Sequence, residues 1–325
     1  MMHGGNVWRG GAPSEYLDFS ANLNPEGMPA WARETMLRAV NDAAYYPDIA
    51  MKAARQGLAD YLGVEASQLL PTAGGIAAIE LALMLDEGTV HIKTPDFGEY
   101  KERTVALGRK IALDTESCKP GDTLIFSNPN NPTGALMTRK EALELSRNIN
   151  GAALTVDEAF IDFCPEESLR GDVSESLRVT GSLTKILAIA GVRLGYILAD
   201  AKTIRRLEKL MPPWQLNCFA AAIAKELPGH KDDIARFRRE NAARRERFDK
   251  ALKSIGARTF PSQANFILCD FGRDMTQVVK HLESRHILVR GCASFGLGSN
   301  YLRLNVRSDS ENQILTEEII RCPAY

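Results

Sequence analysis

Two basic side chains stand out in residues 181–195, whose sequence is GSLTKILAIAGVRLG. Lys185 begins an apolar run punctuated by glycine, and Arg193 follows it eight positions later. A lysine at the edge of a buried segment is costly unless it is neutralised or paired. The segment is therefore typical of a site in which Lys185 forms a covalent bond and Arg193 faces an anion.

Three other short motifs could carry chemistry: SNPNNPTG at 127–134, DEAFIDF at 157–163 and TAGGIAAIE at 72–80. Each has an ordinary structural explanation by itself. Asn-Pro-Thr-Gly favours a turn, a carboxylate at the end of a strand is often a cap, and Gly-Gly often precedes a helix. A glycine-rich turn before a helix can also present backbone N–H groups to an anion. Because Asn131, Asp157, Lys185 and Arg193 occur in this order on successive units, a shared site is the better interpretation.

The elements that position these residues are predicted from hydrophobic periodicity. Strands are expected at 89–95, 122–128, 153–160, 176–182 and 193–200, and helices at 76–85 and 138–149, the second of them capped by Thr138. Strands that alternate with helices predict an α/β fold with a mostly parallel sheet. Binding sites in such sheets lie at the carboxyl ends of the strands, where all four motifs occur.

The pattern changes beyond about residue 215. A long charged helix is followed by ANFILCDF, HILVRGC, YLRLNVRS and a closing helix that begins near Ser308 or Asp309. We expect an N-terminal arm at 1–25, a large domain at 26–215 and a smaller α+β domain at 216–325.

Composition excludes several classes of protein. The 325 residues include 40 Lys and Arg against 41 Asp and Glu, so no global basic field favours nucleic acid. No apolar run approaches the roughly 20 residues that span a bilayer. Six scattered cysteines without a CxxC pair favour free thiols in a cytoplasmic protein, and five dispersed histidines give no metal-ligand spacing.

The motifs N-x-x-N-P-T-G, D-E-A-F and S-x-T-K-x7-R together resemble the fold-type I enzymes that depend on pyridoxal 5′-phosphate, the aspartate aminotransferase superfamily. The resemblance covers nearly the whole chain. It implies the PLP-dependent transferase fold, with a large domain and a smaller C-terminal one. It also implies pyridoxal 5′-phosphate as the cofactor and a homodimer with shared active sites.

The resemblance assigns roles around the cofactor ring. Lys185 is expected to bond covalently to the cofactor and, once freed, to return a proton to the substrate. Asp157 pairs with the pyridine nitrogen, Asn131 hydrogen-bonds the phenolic oxygen, and Phe97 stacks on the ring. Each assignment suits the side chain, since a semi-buried lysine can supply an unprotonated amine and a carboxylate favours a protonated ring nitrogen.

The resemblance also assigns the cofactor phosphate. Its expected contacts share hydroxyl, guanidinium or backbone N–H donors: Ser182, Arg193, Gly74, Gly75 and Ile76. Tyr46, in AYYPD, is expected to reach the phosphate of the partner subunit's cofactor. The loop departs from the pattern of its relatives, because Ile76 offers only its backbone N–H where a hydroxyl is common.

Four further stretches resemble one branch of the family, the threonine-phosphate decarboxylases: HGGN at 3–6, DFSANLNP at 18–25, ILVRGCASF at 287–295 and YLRLNVRS at 301–308. Phe160 also stands where many aminotransferases have tyrosine. On this resemblance Arg303 binds the substrate carboxylate, Arg290 and His3 face the substrate phosphate, and Asn22 lies close by. Alternation with Leu302 and Leu304 would equally explain Arg303 as a solvated strand position.

Three functions stay open from the sequence. The first is decarboxylation of a phosphorylated amino acid, with threonine phosphate ahead of serine phosphate. The second is transamination, of histidinol phosphate or of another amino acid. The third and weakest is a regulator that binds the cofactor without catalysis. The first two differ in which bond at the substrate Cα is held perpendicular to the conjugated plane, an angle that no motif encodes.

Overall fold

The computed structural model describes residues 4–8 and 12–325. Its strands are β1 (Leu17–Asp18), β2 (Leu69–Thr72), β3 (Val90–Ile92), β4 (Ile111–Ala112), β5 (Thr123–Ser127), β6 (Ala153–Asp157), β7 (Leu177–Ser182), β8 (Gly195–Leu198), β9 (Arg258–Thr259), β10 (Phe266–Asp270), β11 (Ile287–Leu288), β12 (Arg290–Gly291) and β13 (Tyr301–Asn305). Its helices are α1 (Ala30–Arg38), α2 (Lys52–Leu62), α3 (Gly75–Leu83), α4 (Glu99–Ala106), α5 (Arg139–Asn148), α6 (Ala201–Leu210), α7 (Cys218–Glu226), α8 (Lys231–Ser254), α9 (Thr276–Ser284) and α10 (Asp309–Arg321). None of the helices in these ranges is long and apolar enough to cross a membrane.

The seven strands of the large sheet follow the order β2-β8-β7-β6-β5-β3-β4. Strands β3 to β7 pair in parallel, and β8 is antiparallel to both β2 and β7. Every residue of β5, β6 and β7 is buried. Such fully buried strands are typical of a parallel sheet covered on both faces, which confirms the predicted α/β class.

Local sequence explains where several elements begin. Thr138 caps α5, because its side chain accepts from the backbone N–H of Glu141 while the Glu141 side chain accepts from that of Thr138. Ser308 and Glu311 form the same reciprocal box at the start of α10. Each box satisfies backbone donors that a helix leaves without a partner in its first turn.

A second, antiparallel sheet has the order β12-β13-β10-β9. Apolar side chains of this sheet pack with those of α8, α9 and α10 in a core of their own. A first core lies around the large sheet. It extends along the chain beyond residue 215, since it includes Ile223 of α7 and Phe237 of α8. The division of the chain at residue 215 stays a prediction.

The segment before α1 contacts both the second core and the lysine-bearing loop. Strand β1 pairs in parallel with β11, and Phe19 is buried in the second core. Further along, the Asn24 N–H donates to the Lys185 carbonyl at 3.0 Å, and the Asn24 amide donates to the Ile186 carbonyl at 3.1 Å. These bonds place residues 20–24 against the loop that follows β7.

Candidate active site

A cavity of about 220 Å³ lies where β5, β6 and β7 end. The sheet topology brings these three carboxyl ends side by side. Six of the residues predicted for the site line this cavity: Asn22, Phe97, Asn131, Asp157, Lys185 and Arg303. They come from both ends of the chain and from its middle, so the fold assembles what the sequence keeps apart.

Lys185 follows β7 by three residues and is half-buried in the wall of the cavity. Burial lowers the pKa of its amine to about 8, and repulsion from Arg303 and Arg193 adds to the effect, while Asp157 opposes it. About a tenth of the amine is therefore unprotonated at pH 7, against less than about a thousandth for an ordinary lysine. An unprotonated, desolvated lysine is a nucleophile for a carbonyl group.

Asp157 ends β6 and is held by three donors. Its Oδ2 accepts from the Tyr100 hydroxyl at 2.8 Å, and its Oδ1 accepts from the Ala159 N–H at 3.2 Å and from the Thr180 hydroxyl at 3.3 Å. Burial raises the pKa of Asp157, whereas these bonds and the nearby Lys185 act in the opposite direction. The carboxylate is thus oriented for a cationic partner inside the cavity.

Tyr100 is a site residue that the sequence analysis missed. Besides its bond to Asp157, its ring packs edge-on against Phe97, with ring centroids 5.6 Å apart. The spacing in TPDFGEY was a usable signal. Phe97 and Tyr100 are three positions apart in the turn that leads into α4, and the Tyr100 N–H donates to the Phe97 carbonyl at 3.2 Å.

The turn between β2 and α3 forms a cradle with Arg193. Gly74 has φ +84°, and a Cβ placed on it would lie 2.4 Å from Nη2 of Arg193. Gly75 packs against Ser182, and the hydroxyl oxygens of Ser182 and Thr184 are 2.8 Å apart. The side chain of Ile76 packs against a buried apolar cluster, so at this position the loop offers the cradle only its backbone.

The residues present fit pyridoxal 5′-phosphate. A guanidinium, two hydroxyls and the backbone N–H groups at the start of α3 suit a phosphate dianion. The cradle is open only because Gly74 lacks a side chain. A buried carboxylate suits a protonated pyridine nitrogen, and a lysine of lowered pKa suits the aldehyde.

Arg303 is buried in the wall of the cavity, with 6% of its surface exposed. Its Nη1 donates to Asn131 Oδ1 and its Nη2 to the Ser20 carbonyl, both at 2.6 Å. The guanidinium also lies over the Phe266 ring, 5.4 Å from its centroid. The alternative of a solvated strand position is therefore wrong for Arg303. Neither Ser20 nor Phe266 was predicted for the site.

Arg290 lies opposite Arg303 in the register of β12 and β13. It lines an adjoining cavity of about 450 Å³, which shares Gly4 and Ser20 with the first cavity. Its Nη2 donates to the Ser294 hydroxyl at 2.7 Å. Asn22 Oδ1 is buried and has no hydrogen-bond partner within the described ranges. His3 lies outside the described residues.

Tyr46 is not among the described residues that line either cavity. It is 81% exposed, and its ring packs against Trp214 with centroids 4.7 Å apart, in a groove on the surface. The structure therefore brings Tyr46 to a surface rather than to the site of its own chain.

Asp96 and Ser127 also escaped the sequence analysis. Asp96 precedes Phe97 and is buried against the end of β5, and burial raises the pKa of its carboxyl to about 7. Ser127 begins the motif SNPNNPTG and Asp96 lies in TPDFGEY, but neither was assigned to the site, because their link joins two segments that are remote in sequence.

Known proteins resemble this chain in sequence and in structure. The chain matches the family model of aminotransferase class I and II over residues 14–319. It is 33% identical to the threonine-phosphate decarboxylase of Salmonella typhimurium, over 96% of this chain and 94% of that protein. It is 29% identical over 96% of its length to an adenosylcobalamin biosynthesis bifunctional protein of Leptospira interrogans, of which it spans 40%. The crystal structure of histidinol-phosphate aminotransferase from Clostridium acetobutylicum matches with a TM-score of 0.86 at 25% identity, over 94% of this chain and 98% of that one.

Proposed function

The chain belongs to the aminotransferase class I and II family, and from this premise we propose that it decarboxylates L-threonine O-3-phosphate to (R)-1-amino-2-propanol O-2-phosphate in cobalamin biosynthesis. Its cofactor is pyridoxal 5′-phosphate. The proposal rests on two arginines in facing register, Arg303 and Arg290, on two adjoining cavities. A substrate that carries both a carboxylate and a phosphate would meet one cation with each anion. The similarity to the Salmonella typhimurium decarboxylase supports this choice.

The residues around the cavity have separate tasks. When bound, pyridoxal 5′-phosphate supplies an electron sink for the bond that breaks at the substrate Cα. Asp157 holds a proton at the pyridine nitrogen. Asn131 accepts from Arg303 through its Oδ1, which leaves its amide N–H groups to donate to the phenolic oxygen. Phe97 covers one face of the ring.

The phosphate of the cofactor is held by a separate set of groups. Arg193 neutralises its charge, Ser182 donates its hydroxyl, and the amides of Gly74, Gly75 and Ile76 donate from the start of α3. Because the loop has no hydroxyl at residue 76, Arg193 contributes a larger share of the phosphate binding.

Arg303 orients the bond that breaks. Its guanidinium is fixed by Asn131 and by the Ser20 carbonyl, so a carboxylate bound to it has a defined direction. Arg290 and His3 bind the substrate phosphate, and Asn22 supplies a free oxygen nearby. The Lys185 amine then holds the proton that reaches Cα after carbon dioxide leaves.

Histidinol-phosphate transamination is the second candidate. The TM-score of 0.86 to the Clostridium acetobutylicum aminotransferase favours it, since that protein has the same fold over nearly its whole length. The two reactions share the cofactor site and differ in the bond broken at Cα.

Product analysis tests the proposed reaction. Purified protein with bound cofactor is incubated with L-threonine O-3-phosphate, and in parallel with histidinol phosphate and an oxo-acid acceptor. We expect carbon dioxide and the amino alcohol phosphate from the first mixture, with no oxo acid formed. Amino transfer in the second mixture without carbon dioxide from the first would overturn the decarboxylase assignment.

The roles of the two arginines have their own test. A lost hydrogen bond between charged groups costs about 1.5–3 kcal/mol, which corresponds to about 10- to 150-fold in binding. Arg290→Ala should weaken threonine phosphate binding by this factor and erase the preference over threonine. Arg303→Ala should impair both compounds, because both carry the carboxylate. An intact phosphate preference in Arg290→Ala would contradict the substrate assignment.

We further propose a homodimer with shared active sites. The exposed ring of Tyr46, with the exposed Tyr45 and Trp214 beside it, supports an interface at this surface. Tyr46→Phe chains are mixed with Lys185→Ala chains. If Tyr46 serves the partner's cofactor, the heterodimer has one site free of both substitutions and retains activity there. If Tyr46 serves its own chain, each site carries one defect and no such recovery is seen.

A further inference from the structure

One buried carboxylate, Asp96, joins two loops behind the cofactor cavity. Its Oδ2 accepts from the Ser127 N–H at 2.9 Å, and its Oδ1 accepts from the Phe97 N–H at 2.7 Å. The Ser127 hydroxyl also donates to Oδ1. Asp96 therefore ties the loop before α4 to the end of β5.

The link continues from Ser127 to the far side of the cavity. Ser127 Oγ accepts from the Asn131 N–H at 2.9 Å, and Asn131 Oδ1 accepts from Arg303. A continuous series of hydrogen bonds thus runs from Asp96 through Ser127 and Asn131 to Arg303.

We propose that Asp96 is a positioning residue, which fixes Phe97 and Asn131 relative to each other and so sets the width of the cofactor site between them. Asp96 itself does not line the cavity, and it acts through its neighbours. The proposal rests on the roles given to Phe97 and Asn131 in the proposed function.

The chemistry of the site explains why a carboxylate is required. All three groups aimed at Asp96 are donors, namely two backbone N–H groups and one hydroxyl. Above its pKa of about 7, Asp96 is ionised, and the carboxylate is then an acceptor only that can satisfy all three donors. The variants are therefore compared at about pH 8, where the ionised form predominates. An asparagine would turn its NH₂ group toward one of these donors and lose that bond.

The test compares Asp96→Asn with a matched control at the opposite end of β5. Asp122 immediately precedes β5, is also buried, and accepts from the backbone N–H groups of Thr89 at 2.8 Å and Lys119 at 3.2 Å. Asp122→Asn therefore removes a similar acceptor far from the cavity. For each variant, equilibrium binding of pyridoxal 5′-phosphate to the cofactor-free protein, visible circular dichroism of the bound cofactor and amide hydrogen exchange are measured.

We expect Asp96→Asn to weaken cofactor binding by about 10- to 100-fold, to change the visible dichroism, and to speed exchange at both Phe97 and Asn131. Ser127→Ala cuts only the second half of the link. It should speed exchange at Asn131, leave Phe97 protected, and weaken binding less. Asp122→Asn should lower the melting temperature and keep cofactor affinity within about twofold.

Two results would overturn the positioning role. One is cofactor affinity and dichroism in Asp96→Asn that match those of Asp122→Asn. The other is used if Asp96→Asn does not fold. In that case, Ser127→Ala with unchanged amide exchange at Asn131 and unchanged cofactor affinity would overturn the role. Phe97→Leu and Asn131→Ala separate this failure from a failure of the proposed function. If these two variants bind the cofactor normally, the proposed site is wrong and the positioning role falls with it.

Discussion

The large sheet carries a group of charged side chains at each end, and the two groups are built differently. At the amino ends of the strands lie Asp86, His91, Arg109, Asp122 and Arg178. At the carboxyl ends lie Asp157, Lys185, Arg193 and Arg303. Each group contains buried members, such as Arg178 at the amino ends and Asp157 at the carboxyl ends, so burial alone does not distinguish them.

The amino-end group is matched in charge and hydrogen bonding. Arg178 makes two bonds to Asp86, the longer of them 3.1 Å. Arg109 donates to the carbonyls of Leu83 and Gly88, and His91 lies 3.2 Å from Asp122. Burial opposes ionisation of Asp122, but its backbone bond to Thr89 and its contact with His91 lower its pKa overall. This end serves stability.

The carboxyl-end group has three basic side chains around Asp157, with a second carboxylate, Asp96, buried behind the cavity. Arg303 and Arg193 both act on Lys185 to lower its pKa, and only Asp157 acts against them. Because Arg303 is buried and Lys185 is half-buried, positive charge at this end is costly unless anions arrive to neutralise it. A negatively charged ligand is therefore expected at this end, where protein stability is given up for binding.

The largest difference between the two ends should appear in Lys185→Met. Covalent attachment of the cofactor, trapped by borohydride and located by mass spectrometry, should be lost, and turnover should fall by at least about 10³-fold. Because the folded protein disfavours the Lys185 charge, the cofactor-free variant should unfold with about 1–3 kcal/mol more free energy at pH 7. A pyridoxyl group trapped on another lysine would contradict the assignment.

Arg178→Met should have the opposite effect at the amino end. It leaves Asp86 without its cation in a largely buried position, so the free energy of unfolding should fall by about 3–5 kcal/mol. Cofactor affinity should stay within about twofold once the protein is folded. Denaturant unfolding and cofactor titration measure the two quantities. Weakened cofactor binding without a loss of stability would show that the two ends are not independent.

Gly74→Ala should affect binding more than stability. The new methyl would lie 2.4 Å from Arg193 Nη2 and displace the guanidinium, so cofactor affinity should fall by about 10- to 50-fold. Gly63→Ala is the control for a positive φ alone, because Gly63 has a φ of +71° and no atom within 4 Å of its Cβ position, although its ψ is 39° and that of Gly74 is 173°. Backbone strain should cost about 1–2 kcal/mol of stability in Gly63→Ala and about 1–3 kcal/mol in Gly74→Ala, whose backbone region is largely restricted to glycine. Equal cofactor affinities would remove Arg193 from the cradle.

The smallest effect expected is on pH dependence. With its pKa lowered to about 8, Lys185 should capture the cofactor about tenfold faster at pH 9 than at pH 7 and then reach a plateau. An ordinary lysine would give a rise of about 100-fold with no plateau in this range. The unfolded chain binds the proton more tightly than the folded one, so the stability of the cofactor-free protein should rise above about pH 8. Lys185→Met should lack this rise, and stopped-flow absorbance with unfolding at each pH checks both statements.

The predicted strands and helices agree well with the structure, because each rests on local periodicity and local caps. The strand expected at 153–160 is β6, at 153–157, and Thr138 caps α5 as expected. The antiparallel direction of β8 could not be predicted, since strand direction depends on which neighbour β8 pairs with across the sheet.

The sequence by itself determined where the site residues next to strand ends lie along the chain. Asp157 ends β6, Lys185 lies three residues beyond β7 and Arg193 lies two residues before β8, and motif spacing fixes each place relative to its strand. The roles of these residues stay proposals. The convergence of Asp157 and Lys185 follows from the parallel order of β6 and β7, and that of Arg193 from the antiparallel direction of β8.

Only the tertiary structure decided which remote groups complete the site. Arg303 meets Asn131 across 172 residues of chain and the Ser20 carbonyl across 283, and Tyr100 meets Asp157 across 57. Asp96 reaches Ser127 from 31 residues away, a contact that neither of their motifs predicts. Such contacts depend on the packing of whole elements and on backbone groups that carry no residue identity. The sequence pattern therefore determines which residues lie at each strand end. The packed fold determines which charged and polar groups from remote segments meet there.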